Sequence, residues 1–189
     1  MTLLDLDRRT GWPEDMRVLL DLYPREVWPA HANLGRTARF WLKRHDMFRE
    51  LGGALQSATA QFREGLITPS EFQGWFAPRL QFFLSGLNDH HHIEDHAYFP
   101  LFRAAEPRLV RGFEVLENDH DVIHQSIEKV MDAANDLLRN LQKDSLQRSA
   151  DHYADVSDCL LSGLIRHLDD EEDLIIPLIL DRSEEKLGM

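Results

Sequence analysis

From about Pro29 to Arg63 the apolar positions Leu34, Trp41, Leu42, Phe48, Leu55 and Phe62 recur at helical spacing, with His45 in the same series. The run Gly65-Leu66-Ile67-Thr68-Pro69-Ser70 then closes the segment with turn chemistry. A second helix is predicted from about Ser70 or Glu71 to Arg103, interrupted near its end by Pro100, with Glu106-Pro107-Arg108 as the next break. A third runs from about Arg111 to Leu141, a polar turn spans Gln142 to Leu146, and a fourth covers Arg148 to Leu180. Short connections make neighbours antiparallel, so the pattern predicts an all-α, up-down-up-down four-helix bundle over residues 29–182. Residues 1–28, with Gly11, Pro13 and Pro24 around a short amphipathic stretch from Asp15 to Leu22, read as an arm packed on the bundle with no chemistry of its own. Residues 183–189 read as a tail.

The bundle is spelled as two tandem helical hairpins. The stretch Leu84-Ser85-Gly86-Leu87-x-x-His90-x-x-x-Glu94-x-x-x-x-x-Pro100-Leu101 recurs 77 positions later as Leu161-Ser162-Gly163-Leu164-x-x-His167-x-x-x-Glu171-x-x-x-x-x-Pro177-Leu178. His45-Asp46 upstream of the first copy is echoed by His120-Asp121 upstream of the second, where His124 follows one turn later. A histidine and a glutamate four apart share one helix face, and together they are a metal-binding pair.

In antiparallel neighbours, residues at equal height have a sequence midpoint near the turn that joins them. His45 and His90 centre on 67.5, inside the first turn; His90 with His124, and Glu94 with His120, centre on Pro107; His120 and His167 centre on 143.5, inside the polar turn. His45, His90, Glu94, His120, His124, His167 and Glu171 therefore converge on one level, within about one helical turn, or ~5 Å. Five imidazoles and two carboxylates buried together without a cation would carry a desolvation cost of several kilocalories per carboxylate, so the convergence predicts a metal site.

Other residues are set aside on the same geometry. His91, His92 and His96 point roughly 100 to 200° away from the His90 face, which predicts edge or solvated positions. His31 and His152 lie about 21 Å along the axis from the ligands of their helices. Gly86 and Gly163 suit either room for imidazoles or close helix packing. Cys159 reads as a small core side chain and Tyr98 as core packing, while Glu117 and Glu128 are candidates to hold ligands or donate protons.

Composition narrows the chemistry. With 189 residues and 43% hydrophobic content the chain supports one core. A net charge of -12 opposes nucleic acid and anionic membranes as partners. The N-terminus carries no apolar core of a signal peptide, and no run approaches the roughly 18 apolar residues of a membrane span, so a cytoplasmic address is expected. Cys159 is the single cysteine, so metal must be held by nitrogen and oxygen.

The first-helix histidine, the His-x-x-x-Glu followed by Phe99-Pro100, the His-x-x-x-His and the last-helix His-x-x-x-Glu with Pro177 resemble the hemerythrin-like, or HHE cation-binding, family over about residues 30 to 181. The resemblance implies a non-haem di-iron centre: two iron ions bridged by Glu94, Glu171 and an oxo or hydroxo group. His120, His124 and His167 would bind one iron, and His45 with His90 the other. Zinc or manganese are substitutes that such donors admit.

With six-coordinate irons, one position stays open on the iron that has two histidines, because Arg49 stands where the second hairpin has His124. Dioxygen, nitric oxide or peroxide is the small ligand implied there, in a pocket lined by Trp41, Phe48, Leu87 and Tyr98. The last-helix bridge is Glu171, four after His167, where the family's oxygen carriers have an aspartate five after, so plain oxygen transport is disfavoured. Binding or sensing a diatomic ligand, or handling iron, is the leading expectation. An oxidoreductase that reduces nitric oxide, decomposes peroxide or repairs iron-sulfur clusters stays open beside it. The oligomeric state is not fixed by the sequence.

Overall fold

A computed structural model describes residues 4–189, so the first three positions of the arm lie outside the described residues. The described residues 4–189 form helices joined by turns, with no strand among them. In chain order the α-helices are α1 (Val18–Leu22), α2 (Arg36–Arg63), α3 (Pro69–Ile93), α4 (Phe99–Ala105), α5 (Val110–Asn140), α6 (Leu146–Arg182) and α7 (Glu184–Leu187). Among the described residues, no helix is long and apolar enough to cross a membrane.

Boundaries depart from expectation where local chemistry decides. The first long helix begins at Arg36 rather than near Pro29, because Arg25–Ala30, with Pro29 inside, forms a 3-10 turn instead. Its far end is a Schellman motif: Gly65 takes φ 72°, Leu66 N–H reaches Gln61 O at 2.9 Å and Gly65 N–H reaches Phe62 O at 3.0 Å. A capping box opens α3, with Thr68 N–H donating to Glu71 Oε2 at 2.9 Å and Glu71 N–H to Thr68 Oγ1 at 3.3 Å.

Between α3 and α4, residues Glu94–Tyr98 form a π-helical turn. Pro100 explains its place: the proline has no N–H for the carbonyl of His96 and its ring crowds that oxygen, so the helix widens there rather than breaking. Pro177, its counterpart in the repeat, sits inside an uninterrupted α6.

Contacts divide the chain into two compact units, and each of the four long helices contributes a segment to each. Unit one comprises Met1–Asp46, His90–Asp121 and Ile165–Met189. Its core joins arm residues Trp12, Met16 and Trp28 to Phe102, Phe113 and Ile175. A β-carbon on Gly112 would stand 2.7 Å from Leu174 Cδ1, so glycine is needed for α5 and α6 to approach. The tail is not loose: Leu187 is buried, and Glu184 Oε1 accepts the Ala38 N–H at 2.8 Å, capping α2.

Unit two comprises Met47–Asp89 and Val122–Leu164. Its interior is a ladder of aromatic rings, Phe62 on Phe72 at 4.2 Å, Phe72 on Phe76 at 4.5 Å and Phe76 on Tyr153 at 5.1 Å. Phe48 and Leu87 are buried in this unit. Cys159 is exposed, not part of the core, because its rotation from the His167 face carries it to the outside.

Candidate metal centre

Six of the seven predicted ligands fall within unit one, on the segments of α2, α3, α5 and α6 it contains and on the π-turn. His45, His90, Glu94 and Glu171 bring donor atoms within 4.8 Å of one another. His120 and His167 form a second group, joined by His91. His124 belongs to unit two, half-buried, and its assignment as a ligand rests on the sequence.

The spacing within the groups is that of donors around an ion. His45 Nε2 and His90 Nε2 are 3.0 Å apart, and His120 Nε2 and His167 Nε2 are 3.1 Å apart. Two cis ligands each ~2.1 Å from one ion stand about 3 Å apart. Glu94 spans both groups, Oε1 lying 3.0 Å from His90 Nε2 and Oε2 3.6 Å from His120 Nε2. Glu171 turns Oε2 toward His167 Nε2 at 3.4 Å and His45 Nε2 at 3.7 Å, while its Oε1 accepts the Trp41 indole N–H at 2.7 Å.

Each of three histidines is oriented by a carboxylate on its other nitrogen. His45 Nδ1 meets Glu172 Oε1 at 3.0 Å, His120 Nδ1 meets Asp95 Oδ1 at 2.8 Å, and His167 Nδ1 meets Asp119 Oδ2 at 3.4 Å. A neutral imidazole that donates Nδ1–H carries a lone pair on Nε2. In the His120–His167 pair, therefore, two neutral rings would set lone pairs against each other at 3.1 Å, so the pair needs a positive charge there, either a proton on His167 or a metal ion that replaces it.

The carboxylates give the same sign. Both Glu94 oxygens and Glu171 Oε2 are buried and accept no hydrogen bond among the described residues. Burial, then the charge of Glu171, holds the Glu94 carboxyl well above its usual range. Burial opposes ionisation of Glu171 too, but His45, His167 and His90 outweigh it and hold that carboxyl low. Burial pulls His90 and His120 down. His167 is pushed up to about 9: burial works against its charge, but Asp119 and Glu171 prevail. These residues fit divalent metal, which would replace the protons that the carboxylates and His167 otherwise need.

Sequence reasoning missed two sets of residues. Asp95, Asp119 and Glu172, not Glu117 or Glu128, hold the histidines. Glu117 pairs with Arg103, and Glu128 is exposed. The signal was present in Glu94-Asp95, Asp119-His120 and Glu171-Glu172, where a carboxylate one position from a ligand turns about 100° to the adjacent helix. Asp95 and Glu172 are also equivalent under the 77-residue repeat.

The other miss is His91, which is fully buried, while His92 and His96 are exposed as expected. A helix packed against two neighbours buries an arc wide enough for adjacent residues: His90 turns to His45, and His91 to α5 and α6. His91 lies on His120 with ring centroids 4.1 Å apart and planes 11° apart. An ion must lie near the plane of every imidazole that binds it, and two nearly parallel stacked planes do not meet at one point. His91 thus walls the group rather than sharing an ion with His120. His91→Phe is expected to keep full metal loading while His120→Phe loses it, as read by metal analysis of the purified variants.

Such a cluster, with histidines from four helices around two buried glutamates, makes this a helical protein with a histidine–carboxylate donor set that can hold a metal ion. The chain belongs to the hemerythrin HHE cation-binding domain family, whose model matches residues 36–184. No curated protein and no solved structure matches the chain.

Proposed function

We propose that this protein holds two iron ions on His45, His90, Glu94, His120, His124, His167 and Glu171, and uses them to bind or sense a diatomic ligand, dioxygen or nitric oxide. The observation that carries this reading is the convergence of donor atoms of His45, His90, Glu94 and Glu171 within 4.8 Å of one another, with Glu94 reaching on to His120 beside His167. In this reading the long helices run up-down-up-down as one domain over residues 29–182, and a reducing cytoplasm suits the lone Cys159.

Bound iron would supply coordination positions for the small ligand and electrons for a redox change. The chain's residues decide what surrounds it. Trp41 fixes Glu171 by its indole N–H and stacks edge-on with Tyr98 at 4.8 Å, making a largely apolar wall beside His45 and His90. Glu117 and Glu128, the acids best placed by sequence to deliver protons, are turned elsewhere. A dry wall favours binding over bond cleavage, which puts binding ahead of the oxidoreductase alternative.

Anaerobic reconstitution with ferrous iron, followed by metal analysis and spectra before and after air, tests the reading. Two irons per chain and near-ultraviolet bands that appear with air and reverse on removing it are expected. One iron or none overturns the assignment, and steady turnover with an electron donor favours the oxidoreductase.

A further inference from the structure

The N-terminal arm reaches the metal centre through two arginines. Arg9 is buried, and its guanidinium forks onto Asp119, Nη2 to Oδ2 at 2.5 Å and Nη1 to Oδ1 at 3.3 Å, while Nε donates to Asp170 at 2.7 Å. Asp119 Oδ2 is the atom that faces His167 Nδ1. Arg25 donates from Nη1 to Glu172 Oε2 at 2.9 Å and from Nε to Asp173 at 2.7 Å. The other oxygen of Glu172 faces His45 Nδ1.

The two connections follow one design. Each runs arginine, carboxylate, histidine Nδ1, and they end on one histidine of each donor group. Each guanidinium also lies over a tryptophan three residues later, Arg9 on Trp12 and Arg25 on Trp28, both 4.9 Å from the ring. The arm is anchored where it must be to do this: Trp12 Nε1–H donates to Asp170 O at 2.8 Å, and Arg166 Nη1 donates to Leu6 O at 2.9 Å.

A burial role alone does not require this pattern. A buried arginine with two carboxylates costs desolvation that apolar residues would avoid, and such pairs earn their place by fixing geometry. Asp95 shows the alternative: it holds His120 in the equivalent repeat position and is partly open to solvent.

We propose that Arg9 and Arg25 are positioning residues for the two metal positions, so that the arm sets metal affinity and redox potential through Asp119 and Glu172. This rests on the metal-binding reading above. The guanidinium holds each carboxylate in place and draws off part of its negative charge. Without it the carboxylate is less well placed, and what charge it presents to the imidazole is greater, which favours the oxidised ion.

The experiment compares wild type, Arg25→Met, Arg25→Lys and, as a control, Arg17→Ala, whose arginine pairs with exposed Asp21 on the arm surface. Asp119→Asn probes the Arg9 branch, because Arg9→Met would leave two buried carboxylates without a cation and cost the fold. Zinc affinity by competition with a chelator and the midpoint potential of the iron-loaded protein are read on chains whose helical circular dichroism matches wild type.

Outer partners of metal-bound histidines change affinity by about 10- to 100-fold. Asp119→Asn should fall in that range. Arg25→Met, one step further out, should weaken zinc about threefold to tenfold and lower the potential, with Arg25→Lys intermediate and Arg17→Ala unchanged. Wild-type affinity and potential in Arg25→Met overturn the proposal, whatever Asp119→Asn shows. Failure of the wild-type chain to bind two ions overturns the metal reading instead, so the two failures are distinct.

Discussion

Glu94→Gln is expected to lower metal content from two ions per chain to one or none and, in the same variant, to stabilise the metal-free protein by about 1–3 kcal/mol. The two effects have one cause. Glu94 gives one oxygen to each donor group, Oε1 near His90 and Oε2 near His120, so the amide removes the charge that both ions require. Without metal, that carboxyl is buried beside Glu171, and burial with the neighbouring charge holds its proton on. Glutamine has the shape of the protonated glutamate and needs no proton, so the metal-free fold is spared the cost of protonating a buried carboxylate and keeps its contacts. Metal analysis checks the first effect and urea unfolding of the chelated protein the second. Glu171→Ala and His167→Ala should also abolish paired binding with the helices largely formed. Those variants bring no gain in metal-free stability, because Glu171 accepts the Trp41 N–H and His167 is tied to Asp119. Full two-ion loading in Glu94→Gln would sink the assignment of Glu94 as the spanning carboxylate.

The long helices were legible because their apolar period is sustained and their stops are turn residues with defined jobs, such as Gly65 at positive φ and Thr68 with Glu71 as a cap. The clustering of His45, His90, Glu94 and Glu171, with His120 and His167 grouped beside them, was legible from midpoint arithmetic, which depends only on antiparallel neighbours and not on packing detail. His91 was misread because one preferred direction per helix was assumed, whereas a helix between two neighbours has a buried arc that takes in adjacent residues. The long-range pairings of the arm were not legible for a different reason. Arg9 and Arg25 have no periodic signature, and nothing local says that a surface-type residue will be carried to carboxylates 110 or 147 positions away. The π-turn also escaped the sequence, since Pro100 and Pro177 occupy matching places in the repeat and only the first widens its helix. Long-range electrostatics and helix distortion are set by tertiary packing, which a single sequence encodes only indirectly.

The metal-free protein is expected to be most stable near pH 6.5 and to weaken on both sides, whereas the metal-loaded protein should hold its stability from there to pH 9. His90 and His120 are buried and held below the usual histidine value, so they favour the fold while neutral; that contribution is present above about 6.5 and lost as pH falls. His167 behaves oppositely. Burial opposes its charge, but Asp119 and Glu171 raise it to about 9, so its contribution is complete below 6.5 and lost as pH rises through 9. The difference from the ordinary value corresponds to on the order of 3 kcal/mol. Glu94, raised by burial and by Glu171, acts in the same direction as His167. A bound cation must displace the His167 proton, so metal affinity climbs as pH rises and offsets the loss that the metal-free fold suffers. Thermal unfolding from pH 5 to 9, with chelator and with zinc, measures both curves. Asp119→Asn removes one of the two partners that hold the His167 proton and should flatten the alkaline limb of the metal-free curve. A metal-free protein that instead gains stability between pH 6.5 and 9 would show that His167 is neutral in the fold and that the centre carries no trapped proton for a metal to replace.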